Sequence, residues 1–123
     1  MNVSGPDFVA LQVTDLERSA RFYEERLGLR RAESGPAHAV VFATTPISFA
    51  VREPLPGFVP AEARPSAGAG VVLWFECDDA EKMHAQLAAA GIPIIVPPTP
   101  SPFGPMFTFR DPDGYAVTLH SRS

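Results

Sequence analysis

The sequence predicts an α+β domain built from two βαβββ modules, and three observations predict it. Shifting the 123-residue chain by 64 positions lays Thr14-Asp15-Leu16-Glu17-Arg18 on Asp78-Asp79-Ala80-Glu81-Lys82, so one helix-starting device occurs twice. Apolar residues alternate before and after each of these points, as they do in half-buried strands. The chain also ends in a hairpin, where Phe107-Thr108-Phe109-Arg110 runs into Asp111-Pro112-Asp113-Gly114 and Tyr115-Ala116-Val117-Thr118-Leu119-His120 leaves it. Proline fixes φ at the first corner of that turn, and glycine accepts the positive φ where the chain reverses. The boundaries read as module 1 at about residues 5–53, a Pro/Gly/Ala-rich linker at about 54–69 and module 2 at about 70–123 of one domain, 1–123.

Taken in order, the first strand is Phe8 to Val13. Thr14 is positioned to cap the first helix, with Glu17 three residues on to complete a capping box. Leu16, Ala20, Tyr23 and Leu27 recur at helical spacing, and Gly28 ends the run. Strands follow at Leu29 to Glu33, Ala37 to Ala43 and Ile47 to Arg52. The second copy begins with the strand Val71 to Cys77. Asp78 and Glu81 repeat the box, Ala80, Met83, Leu87 and Ala90 form the apolar stripe, and Gly91 stops the helix. The last strands are Ile92 to Val96, Pro105 to Arg110 and Tyr115 to Ser121. Fourteen prolines, clustered between Glu53 and Pro65 and between Pro93 and Pro105, mark two extended connections.

Composition narrows the function classes. A hydrophobic fraction of 46% supplies a core for one compact unit, and no apolar run is long enough to span a bilayer. No charged-then-apolar leader precedes the first strand, so the expectation is a soluble cytoplasmic protein with no membrane partner. The single Cys77 excludes an internal disulfide framework and reads as a small buried hydrophobe, since no adjacent His or Lys is placed to activate it. A net charge of −4 argues against nucleic acid, which calls for a basic face.

The segment Val13-Thr14-Asp15-Leu16-Glu17-Arg18-Ser19-Ala20-Arg21-Phe22-Tyr23-Glu24-Glu25-Arg26-Leu27-Gly28 and the terminal hairpin together resemble the vicinal oxygen chelate superfamily. That group includes glyoxalases, extradiol dioxygenases, fosfomycin-resistance enzymes and bleomycin-resistance proteins. The resemblance covers nearly the whole chain. It implies a mixed sheet curled around a cleft, helices outside, and a homodimer whose halves are often shared or exchanged. Many chemistries use this scaffold, so the fold does not choose among them.

Alternation along each strand then separates a helix face from a cleft face. Val9, Leu11, Val13, Val71, Leu73, Phe75, Cys77, Phe107, Phe109, Tyr115, Val117 and Leu119 take the helix side. Phe8, Ala10, Gln12, Gly70, Val72, Trp74, Glu76, Met106, Thr108, Arg110, Ala116, Thr118 and His120 are left for the cleft, and the strand around Phe49 is ambiguous. Metal-dependent members of the superfamily carry His or Glu at positions that fall here on Phe8, Gly70, Thr118 and near Phe49, none of which offers a carboxylate or imidazole. A divalent metal needs about three converging N, O or S donors, so no metal and no other cofactor is expected. His38, His120, Glu76 and His84 show no His-x-His or His-x-x-x-His spacing that would rebuild such a site.

The candidate ligand-binding set is Phe8, Gln12, Phe49, Trp74, Glu76, Phe103, Met106, Thr118 and His120, with no catalytic residue assigned. Aromatic walls with a few polar handles suit a bulky planar molecule. The stretch Val72-Leu73-Trp74-Phe75-Glu76-Cys77-Asp78-Asp79 is similar to the second-repeat strand and helix start of the bleomycin-resistance branch, whose members bind antibiotics without modifying them. The reading is therefore non-catalytic sequestration of a natural product or antibiotic, in drug resistance or self-resistance. The alternatives are a glyoxalase- or dioxygenase-like lyase or isomerase with a relocated metal site or none, and an accessory domain with a vestigial cleft.

Overall fold

The computed structural model describes residues 1–122, which fall into two compact units, residues 1–60 and 61–122. The first unit holds β1 (Phe8–Gln12), α1 (Leu16–Leu27), β2 (Ala39–Phe42) and β3 (Ser48–Arg52). Its sheet runs in the order β1-β3-β2, with β1 parallel to β3 and β2 antiparallel to it. The second unit holds β4 (Leu73–Glu76), α2 (Ala80–Ala89), β5 (Ile94–Thr99), β6 (Met106–Arg110) and β7 (Ala116–His120), with sheet order β4-β7-β6-β5.

Both helices start one residue later than the expected capping boxes place them. Asp15, in extended conformation, caps α1 by accepting from the Arg18 N–H at 3.1 Å, and Asp79 caps α2 by accepting from Lys82 N–H at 3.0 Å. The third helical position is therefore Arg18 or Lys82, and no glutamate closes a box. A carboxylate one residue on outcompetes Thr14, because an ionised oxygen accepts the N–H more strongly than a hydroxyl and suits the positive end of the helix dipole. Glu17 turns instead to Arg31, whose Nη2 lies 2.7 Å from Glu17 Oε1 while its Nε lies 2.8 Å from Glu24 Oε2. That hydrogen bond holds the Glu17 carboxyl below the usual range.

The strand expected over Leu29 to Glu33 is reduced to a single bridge, Arg31 to Phe42, flanked by Ala32 N–H to Val41 O and Ala43 N–H to Arg30 O, each 2.8 Å. Arg30, Arg31 and Glu33 leave little apolar surface to bury there, and Gly35-Pro36 ends the pairing. At the opposite extreme β5 runs on through Pro97 and Pro98. As the edge strand it does not need their missing N–H groups, and its register slips between Ile94 and Val96 and again between Val96 and Thr99.

The facing assignment holds in module 2. Leu73 pairs with Val117 and Phe75 with Leu119, and these continue to Phe109 and Phe107 on β6. Phe107, Phe109, Val117 and Leu119 are buried, and His84 of α2 packs its ring edge-on against Phe107 at 5.3 Å. Leu73 and Phe75 are only half-buried because β4 is the other edge. Val71 departs from expectation: it lies before β4, in a turn closed by its N–H to Gly68 O, and is exposed. In module 1 Leu11 and Val13 are buried and Val9 is half-buried.

Candidate functional site

Register places two rows of side chains on the face of the second sheet away from α2. Trp74, Thr118 and Thr108 form one, and Glu76, His120 and Met106 the next. The last-strand turn keeps these rows in register. Asp111 Oδ1 accepts from the N–H groups of Asp113 and Tyr115, while Gly114 N–H closes the reversal onto Asp111 O at 2.9 Å.

On this face three rings meet. The Trp74 indole stands edge-on to Phe103 at 5.7 Å and tilted to the His120 imidazole at 5.7 Å, and Phe103 and His120 are 6.5 Å apart. Trp74 is 44% exposed and Phe103 59%, whereas His120 beneath them is 8% exposed. Two large apolar rings thus stand open to solvent beside a polar ring.

Phe103 is anchored rather than free to act as a lid. Ser101 Oγ accepts from Phe103 N–H at 3.1 Å and donates to the Gly104 carbonyl at 2.5 Å, while Gly104 N–H reaches Ser101 O at 3.1 Å. Gly104 has φ 105°, and a Cβ there would lie 1.8 Å from the Ser121 carbonyl oxygen. The His120 Nδ1 completes the latch, 3.0 Å from the Phe103 carbonyl.

Glu76 is exposed and paired to Arg122, whose Nε lies 2.7 Å from Glu76 Oε2. Arg122 lies one residue beyond the expected last strand, Tyr115 to Ser121. Period-two alternation carried past His120 would have put it on the same face. Met106, half-buried, sits across from His120 on β6.

The other four predicted residues are Phe8, Gln12 and Phe49 of the first unit and Thr118 of the second. Phe8 is 52% exposed on β1, on the face of the first sheet that α1 does not cover. Gln12 Oε1 accepts from Leu55 N–H at 2.8 Å and so holds the start of the linker. Phe49 is a correction: at 3% exposure it lies 5.0 Å from the Tyr23 ring and 6.0 Å from Phe42. Helix α1 needs a large apolar partner for Tyr23, and that settles the ambiguous strand with Phe49 in the core. Thr118 is the second correction. It is fully buried, and its Oγ1 meets Thr108 Oγ1 at 2.6 Å, so both hydroxyls satisfy one another rather than a ligand.

The remaining reactive groups are dispersed. His38 is exposed in a left-handed turn and paired with Glu53, and His84 lies on the helix side of the sheet. Burial pushes the Cys77 thiol up, which works against a thiolate nucleophile. Among the described residues no three His, Cys, Asp or Glu side chains converge in a way that could hold a metal ion, and no helix is long and apolar enough to cross a membrane.

The profile of the Glyoxalase/Bleomycin resistance protein/Dioxygenase superfamily matches residues 5–119. The chain belongs to that superfamily. Among superfamily-like solved structures, the antibiotic-binding protein TnmS3 from Streptomyces sp. CB03234 is similar at a TM-score of 0.74, with 24% identity over 100% of this chain and 99% of that one. A lactoylglutathione lyase from Agrobacterium tumefaciens gives 0.70 and 22% over 98% and 96%. A protein of unknown function from A. tumefaciens str. C58 gives 0.72 and 26% over 98% and 94%. No curated protein sequence matches the chain. These likenesses are of fold.

Measured against the metal-dependent members of the superfamily, the donor chemistry does not fit. Phe8 presents a phenyl ring, Gly70 no side chain, Thr118 a hydroxyl sealed against Thr108, and Phe49 a ring facing α1. None of these groups supplies a metal-binding carboxylate or imidazole.

Proposed function

We propose that the chain binds a bulky, partly aromatic natural product or antibiotic and releases it unchanged, so that sequestration protects a cell from the compound. The observation that carries this reading is the Trp74, Phe103 and His120 cluster, in which two exposed rings are held around a buried imidazole by a latched loop. Sequestration requires affinity without transition-state stabilisation, and a fixed aromatic surface supplies affinity. TnmS3, of the same fold, is an antibiotic-binding protein, which supports the reading. The wrong donor set at the superfamily's ligand positions turns it away from glyoxalase- or dioxygenase-like chemistry.

We read Trp74, Glu76, Phe103, Met106 and His120 of the second unit as the ligand-contacting set, in a protein working in the cytoplasm as a homodimer. The exposed Val71 and Val72 beside the β4 edge favour such a covered state. Sedimentation at micromolar concentration should show the dimer, and a monomer alone would remove that part of the reading. The test of sequestration uses the chain's single tryptophan, Trp74, as its own reporter. Quenching titrations across an antibiotic panel should find a ligand, and mass analysis should recover it intact. A hydrolysed, adducted or rearranged product would make this an enzyme.

A further inference from the structure

We infer that the ligand of the Trp74 surface is a planar aromatic carrying a hydrogen-bond donor of the phenol type at its edge, and that His120 Nε2 receives that donor; this rests on the sequestration reading above. A carbonyl oxygen only accepts, so the 3.0 Å contact between His120 Nδ1 and the Phe103 carbonyl requires the proton on Nδ1. In the neutral imidazole Nε2 is then an acceptor. No hydrogen-bond partner meets Nε2 among the described residues, and no side-chain polar atom in the buried positions is both sealed and unpaired. Nε2 is therefore unpaired but not sealed, in a ring 5.7 Å from the indole centre and 6.5 Å from Phe103.

The neighbouring polar group does not compete on equal terms. Glu76 sits opposite His120 in the sheet, and Arg122 already occupies its Oε2 at 2.7 Å. The fixed tautomer makes the site selective. A ligand that stacks on Trp74 and brings an O–H gains a hydrogen bond, and one that brings an ether oxygen to the same place sets two acceptors against each other.

Two probes of nearly one shape test this, 2-naphthol and 2-methoxynaphthalene, titrated into the full chain. Two nuclear magnetic resonance signals are followed: the indole N–H of Trp74, single in this sequence, and the imidazole nitrogens of His120. The free protein should show the Nδ1–H tautomer. Naphthol should bind about five-fold tighter than its methyl ether, or about 1 kcal/mol at 1.4 kcal/mol per decade, and should move the Nε2 resonance. His120→Asn keeps an N–H for the Phe103 carbonyl but has no acceptor at the Nε2 position. It should bring the preference to about one while the ether binds as before, given that stacking on the indole is retained. His120→Gln, which places an amide oxygen farther out, should restore part of the preference, and this arm stands even if the Asn variant misfolds.

Equal affinities in the unaltered protein, a silent Nε2, or an Nε2–H tautomer would overturn the donor assignment while leaving the aromatic surface as a binding site. Failure of both probes to move the indole signal would overturn the surface as a ligand site, and the donor assignment with it.

Discussion

Gly104 and Ser121 approach so closely that no side chain fits between them: a Cβ on Gly104 would stand 1.8 Å from the Ser121 carbonyl oxygen. The obstacle is backbone on the end of the sheet, which cannot swing aside as a side chain does. Gly104 also has φ 105°, a region that residues with a Cβ avoid. This contact fixes where Phe103 stands relative to Trp74.

Gly104→Ala should therefore displace the loop and lower stability by about 1–3 kcal/mol, the range for a strained backbone site. Urea unfolding reads the stability, and the Trp74 emission maximum reads whether Phe103 has left the indole. An alanine variant with unchanged stability and emission would show the loop position to be independent of this contact.

Trp74 and Phe49 separate binding from folding. Trp74→Ala removes a 44% exposed ring, so it should weaken ligand binding by about 1–3 kcal/mol with little effect on folding. Phe49→Ala empties a site packed between Tyr23 and Phe42 and should lower stability by about 3–5 kcal/mol. Calorimetric titration, which does not need the indole, compares affinities, and thermal unfolding compares stabilities. A Trp74 variant that unfolds like the Phe49 variant would make Trp74 a core residue.

Much of this was legible in the sequence because period-two alternation is a strong signal where one face is buried. It separated Phe107, Phe109, Val117 and Leu119 from Trp74, Glu76 and His120 correctly. It could not place Phe49, where Ile47, Phe49 and Val51 alternate with Ser48, Ala50 and Arg52 and both sets contain small or apolar members. Only Tyr23 packing down from α1 decides between them. Nor does alternation tell an open face from a closed one, so it puts the sealed Thr118 among the ligand contacts. The capping register was missed for a local reason, since Thr14-Asp15 and Asp78-Asp79 each offer two adjacent caps. Asp15→Ala and Asp79→Ala should each lower stability by about 1 kcal/mol and Thr14→Ala by much less, in denaturant titrations. Equal losses at Thr14 and Asp15 would return the cap to the threonine.

The Thr108 and Thr118 hydroxyls, 2.6 Å apart and both buried, make the sharpest energetic test of the sheet beside the candidate site. Each satisfies the other, so removing one leaves its partner buried without a hydrogen bond. Thr118→Val should therefore lower stability by about 1–3 kcal/mol, and Thr108→Val by a similar amount. The double Val variant removes both polar groups while keeping the branched shape that suits a strand, so it should recover most of that loss. The double-mutant cycle then yields a coupling of roughly 0.5–3 kcal/mol, read from urea midpoints at constant slope. Strictly additive losses would mean that each hydroxyl has an independent partner, such as a ligand or trapped water. In that event Thr118 would return to the list of candidate contacts, and ligand affinity measured in the Thr118→Val protein would say which of the two it is.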